Sequence, residues 1–218
     1  MSQKLNLLKF AVSLVILSLP LFKPAASVGA VASKNLDYLS EIRSDGYFCW
    51  PSNKRPLKVY FQPGSGVPGY KNHFVGCLSS CFDEWVTASN GQISWSRVDL
   101  PSQADVVVRW TNTVTERAEG TEAGRTKTFA SYNTATNCGT IHGAQMLLLT
   151  RLPEREFTAD ELRRAYLHEV GHALGIAGHS KDPNDIMYYA VTEHANPHLD
   201  DRDKATIDHL YRNLSMRS

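Results

Sequence analysis

The sequence predicts an α+β domain with a five-stranded sheet and long helices, and three observations lead to it. Five runs have the alternating or apolar character of strands, and three stretches carry apolar residues at helical spacing. One of those helices, opened by a capping signal, runs into HEVGHALGIAGHS, His168 to Ser180, whose first two histidines lie on a face other than the helix's apolar one. The chain has 218 residues, 42% of them apolar and 21% charged, enough for one domain with a buried core plus short extras. A net charge of +1 with no lysine- or arginine-rich stripe gives no support for a nucleic-acid partner.

The first residues stand apart. Lys4 and Lys9 precede an apolar run from Phe10 to Leu19, too short to span a bilayer with ease, and a small-residue stretch follows from Ala25 to Ala32. Residues 1–30 therefore read as a secretory signal peptide, with cleavage near Val28, Ala30 and Ala32 and a mature chain beginning at Val31 or Ser33. The expectation is an exported protein, extracellular or periplasmic, with no membrane span after cleavage. Residues 31–56 then form an N-terminal arm, and residues 57–218 the main domain. Export makes Cys49, Cys77, Cys81 and Cys138 candidates for two disulfides. Three connectivities are possible; the favoured one sends Cys77 and Cys81 to separate loops, one through Cys49 and the other through Cys138.

Leu57 to Phe61 (LKVYF) alternates and reads as a strand ending in the turn-rich QPGSGVPG. Phe74, Leu78, Phe82 and Trp85 form the apolar stripe of a helix that Asn90-Gly91 closes. Ile93 to Val98 and Asp105 to Trp110 are the next two strands. Residues Thr113 to Arg125, polar and carrying Gly120 and Gly124, read as a surface loop. Thr126 to Tyr132 and Ile141 to Leu149 complete the five strands, joined by the turn material TATNCG. Thr158 and Glu161 are spaced as a capping box, and Leu162, Tyr166, Val170 and Ala173 give the helix that follows a core face. Ile207, Leu210, Tyr211 and Leu214 mark a last amphipathic helix.

His168 and His172 are four residues apart, so on a helix of about 3.6 residues per turn their imidazoles share a face and reach one ion. Glu169 lies about 100° around the helix, placed for proton transfer without being a ligand. Gly175 stands where the helix must turn out, and His179 on the returning chain supplies a third nitrogen. Three imidazoles with a fourth position open are the pattern of catalytic zinc. His73, His142, His194, His198 and His209 are isolated. Asp182, Asp185, Asp200, Asp201 and Asp203 offer oxygen ligands for calcium, but at no recognised spacing.

The extended motif HExxHxxGxxH, Ser180 after the third histidine, and Asp185-Ile186-Met187-Tyr188 resemble the metzincin metalloproteases, and among them the matrixins. The resemblance implies a twisted mixed sheet with the zinc in a cleft between an upper and a lower subdomain, and it makes Met187 a structural floor to the metal site. It also implies that the strand from Thr126 is an antiparallel edge with which an extended peptide pairs. Matrixins usually have proline two residues after that methionine; this chain has Tyr189, as astacins and serralysins do, where the tyrosine touches the zinc or steadies the transition state. Tyr189 is therefore a candidate hydrogen-bond donor to the developing oxyanion. The latency motif PRCGxPD is not matched by Tyr47-Phe48-Cys49-Trp50-Pro51, so no cysteine switch is expected.

The expected activity is that of a secreted, monomeric zinc endopeptidase with Glu169 as general base. The alternative is an exported zinc-binding recognition module with the same fold and little activity, which would have no need of Glu169 or of an open ligand position.

Overall fold

The computed structural model describes residues 6–16, 36–42, 46–113, 116–117, 120–191 and 196–215. Among these, nine strands form one sheet and three α-helices pack with it. The strands are β1 (Asn6–Ile16), β2 (Tyr47–Cys49), β3 (Leu57–Phe61), β4 (Trp95–Val98), β5 (Val106–Thr111), β6 (Glu116–Arg117), β7 (Gly120–Asn133), β8 (Cys138–Leu149) and β9 (Ala190–Val191). The helices are α1 (His73–Ala88), α2 (Ala159–Ala173) and α3 (Asp201–Ser215).

The sheet runs β4-β3-β5-β8-β7-β1-β9, with β2 also on β8 and β6 on β7. The strands β4, β3, β5 and β8 are parallel, whereas β7 is antiparallel to β8. Most of the sheet outside the β7 pairings is therefore parallel, and the strand count exceeds the expected five. Of the four additions, β1, β2 and β6 pair with open backbone on β7 and β8, and β9 pairs in turn with β1. β1 pairs antiparallel with β7 over its whole length and parallel with β9 at Val15 and Ile16. The apolar run that reads as a signal peptide thus lies where the resemblance puts a substrate; its cleavage region falls outside the described residues.

The Thr113–Arg125 loop needs correction, because β6 occurs within it and β7 starts at Gly120. Gly124 sits opposite Leu148 in the β7–β8 ladder. It is a strand glycine, since a Cβ there would fall 2.7 Å from Glu169 Cγ.

Alternation places Leu57, Val59 and Phe61 of β3 and Val106, Val108 and Trp110 of β5 in the core, facing the α1 stripe of Phe74, Leu78, Phe82 and Trp85. Trp85 Nε1 donates to Leu167 O at 2.9 Å, tying α1 to α2. The N-terminal arm belongs to the same core. Trp50 is fully buried and donates from Nε1 to Ala173 O at 2.8 Å, while the Tyr38 hydroxyl donates to Asp203 Oδ1 at 2.6 Å.

The structure shows no disulfide among the four cysteines, so the expected connectivity is not seen in it. Cys77 and Cys81 lie one turn apart on α1, and Cys81 Sγ donates to Arg163 O at 3.8 Å. Cys49 lies on β2, paired with the start of β8 that carries Cys138, and burial pushes its thiol up to about 11. No described helix is long and apolar enough to cross a membrane.

Candidate metal centre and catalytic cleft

α2 begins as its sequence dictates. The Thr158 side chain accepts from Glu161 N, and the Glu161 carboxylate accepts from Thr158 N at 2.9 Å. Arg155 holds the same carboxylate with both nitrogens, at 2.7 and 2.6 Å, and this pair draws Glu161 down to about 2. The helix then runs without interruption to Ala173 and leaves through Gly175 at φ 108°, where a side chain would strike the Phe48 carbonyl.

His168 and His172 emerge from one face, and their Nε2 atoms lie 2.9 Å apart. His168 Nδ1 donates to Ile186 O at 2.8 Å and His172 Nδ1 to Ile176 O at 2.6 Å. A carbonyl only accepts, so each Nδ1 carries the proton and each Nε2 turns a lone pair inward. His179 stacks on His168 at 5.1 Å between ring centroids, and its buried Nε2 has no hydrogen-bond partner. One nitrogen from each ring lies within 4.8 Å of the others. Two lone pairs facing at hydrogen-bond distance repel unless a cation or a proton lies between them. Protonation is disfavoured, because burial and the neighbouring imidazoles lower His168 well below the usual histidine value and His172 to about 3. Burial alone takes His179 to about 4. The donor set therefore fits zinc, with three imidazole nitrogens and room for a fourth ligand.

The floor of the site comes from the chain after His179. Ser180 N donates to Met187 O at 2.8 Å, and Met187 is fully buried against Gly171, where a Cβ would collide with its sulfur. Glycine between the two helical histidines is thus what lets methionine lie beneath them. Arg164, one turn before His168 and almost wholly buried, donates to the carbonyls of Asn196, Pro183 and Asp185 at 2.8, 3.1 and 2.6 Å. Asp203 of α3 accepts from Ile186 N at 3.0 Å, so the Ile186 peptide joins α3 to the His168 ring.

Glu169 is buried, and Thr126 Oγ1 lies 2.6 Å from its Oε2. Tyr189 is 40% exposed, its ring 4.5 Å from that of Tyr188. The structure thus brings together His168, His172, His179 and Met187, sets Glu169 beside His168 on α2, and leaves Tyr189 at the surface just before β9. Of the five aspartates considered for calcium, Asp185, Asp200 and Asp203 converge. Tyr38, Ser180, backbone amides and Arg202 contact them, as in a hydrogen-bonded web. Among the isolated histidines, His142 only meets Ser131 Oγ at 2.8 Å, and His194 lies outside the described residues.

Thr126 and Arg164 escaped the sequence reading, and Asp203 was read there as an oxygen donor for calcium, not as the acceptor of Ile186 N. Asp203 had a usable signal, because it falls one turn before Ile207 on the apolar face of α3.

A helix-borne histidine pair with a third histidine beyond a glycine turn, over a buried methionine and beneath a sheet, defines a metalloprotease fold of the metzincin class. The matrixin family model, peptidase M10, matches residues 68–212, more than half of the chain, and the chain belongs to that family of zinc-dependent peptidases. No curated protein matches it.

Proposed function

We propose that the protein is an exported, monomeric zinc endopeptidase that cleaves proteins or peptides bound in extended form. The observation that carries the reading is the convergence of three imidazole nitrogens within 4.8 Å beside a buried Glu169. Pairing of β1 with β7 and β9 supports an extended substrate, since the slot between those strands accepts extended chain. The charged start, short apolar run and small-residue stretch of residues 1–30 support export.

His168, His172 and His179 would hold the zinc, which when bound polarises the scissile carbonyl and lowers the pKa of water toward about 7. Glu169 takes a proton from the attacking water as its oxygen bonds to the carbonyl carbon. It returns that proton to the nitrogen as the C–N bond breaks. We assign Tyr189 a hydrogen bond to the developing oxyanion, which its position at the end of the methionine turn favours.

The test is cleavage of casein by the chain beginning at Val31, with and without a zinc chelator. Glu169→Gln is expected to keep zinc and fold while losing at least about 100-fold in kcat. Tyr189→Phe is expected to lose about tenfold or more in kcat at unchanged KM. Near-normal turnover of the glutamine variant would overturn the mechanism, and an unaltered Tyr189→Phe enzyme would remove the tyrosine from it. Stoichiometric zinc without cleavage would favour a binding module.

A further inference from the structure

We propose that Thr126 is the positioning residue for Glu169, with Gly124 making the space that allows it. The inference rests on the reading of Glu169 as general base and concerns how its carboxyl is held. Thr126 lies in the middle of β7, opposite Met146 of β8, and is 1% exposed. Its hydroxyl reaches Glu169 Oε2 at 2.6 Å, the range of a short O–H···O⁻ bond, and the Glu169 carbonyl is a longer alternative at 3.1 Å. A hydroxyl with one proton donates to one of these, and the carboxylate is nearer.

Gly124 is two residues earlier on the same face of the strand. Its missing side chain leaves the space that the Glu169 stem fills, since a Cβ would fall 2.7 Å from Cγ and 3.0 Å from Cδ. β7 thus presents a glycine for the stem and a hydroxyl for the head. Both are fixed against β8 at core positions, Gly124 opposite Leu148 and Thr126 opposite Met146. Glutamate has three rotatable side-chain bonds, and a base that serves two proton transfers must keep one carboxyl orientation. Holding Oε2 fixes the carboxyl plane, and with it the direction in which Oε1 offers its lone pairs. When Glu169 carries the proton on Oε1, the Thr126 bond to Oε2 persists. Thr126 touches no reacting atom and acts through Glu169.

Thr126→Val removes the hydroxyl at nearly constant shape, and Thr126→Ser restores it. In the casein assay the valine variant is expected to lose about 10- to 100-fold in kcat, with KM and bound zinc unchanged. The serine variant should stay within about threefold of the parent. In the Glu169→Gln background the valine change should cost no further turnover. A merely structural tie between β7 and α2 would lower thermal stability alike in both backgrounds and leave kcat in place, which would overturn the proposal. So would a serine variant as slow as the valine one. If valine prevents folding, Gly124→Ala pushes on the Glu169 stem from the other side and is expected to lower kcat at constant zinc content; retained kcat overturns the idea. A crystal structure of Thr126→Val supplies a readout that needs no activity. The Glu169 carboxyl should leave its single orientation, and an unmoved carboxyl sinks the proposal even in a protein that cleaves nothing. Absence of chelator-sensitive cleavage by the parent chain would count against the protease reading instead.

Discussion

The peptide of Ile186 links two parts of the molecule through one residue. Its carbonyl accepts from His168 Nδ1 and its amide donates to Asp203, so a hydrophobic residue transmits the position of α3 to a zinc ligand. The two ends of this link titrate in opposite senses. His168, His172 and His179 have folded values below that of free histidine, about 6.5, so in the metal-free protein their contribution is present above that pH. It is lost as pH falls toward 4 and then 3. Asp203 is pushed up to about 7 by burial, so its contribution is present at acid pH and lost as pH rises through 7. Calorimetry of chelator-treated protein should show melting temperature falling steeply from pH 6.5 to 4, with zinc-loaded protein higher at pH 7. A flat profile for the metal-free chain would contradict the buried neutral histidines. At this scale the convergence of the three histidines was legible, because His168 and His172 are a helix turn apart and His179 follows the glycine turn. Thr126 was not, because its partner lies 43 residues along the chain and nothing near it marks the contact.

Among the elements, α2 was readable almost to the residue, whereas β7 was readable only in its second half, Thr126 to Tyr132. The capping box, the apolar face and Gly175 are local signals, and local physics forms that helix. Gly120 to Arg125 is polar and carries two glycines, so its own composition argues for a loop. It is strand because β1 and β6 pair with its start, β8 pairs with it from Gly124, and Gly124 must clear Glu169. Arg164 is the comparable blind spot in α2, a charge on a helix that buries it. Its three carbonyl partners hold the turn that carries Met187. Arg164→Leu should cost about 3 kcal/mol or more by leaving those carbonyls buried without donors. It should also weaken zinc binding. Urea unfolding of metal-free protein and a competitive zinc titration test the two effects separately, and a loss under about 0.5 kcal/mol would refute the anchoring role.

For the whole molecule, the family match begins at residue 68, yet the fold does not. β3 lies between β4 and β5, β2 lies on β8, and Trp50 and Tyr38 from the arm brace α2 and α3. Residues 68–212 expressed alone should therefore fail to give a cooperative melt, whereas a chain beginning at Val31 should melt as one unit. Circular dichroism on the two proteins decides this, and a cooperative 68–212 fragment would show that the arm is an accessory.

β1 has a consequence for measured potency. A strand tethered to the same chain occupies the β7 line at an effective concentration on the order of millimolar, so under the proposed function an extended peptide would have to compete with it. A substrate with an intrinsic dissociation constant near that concentration would hardly register against a chain that retains residues 6–16. The same substrate would gain all of that ground once they are gone. Under the proposed function, two preparations differing only at the N-terminus would show different apparent KM values.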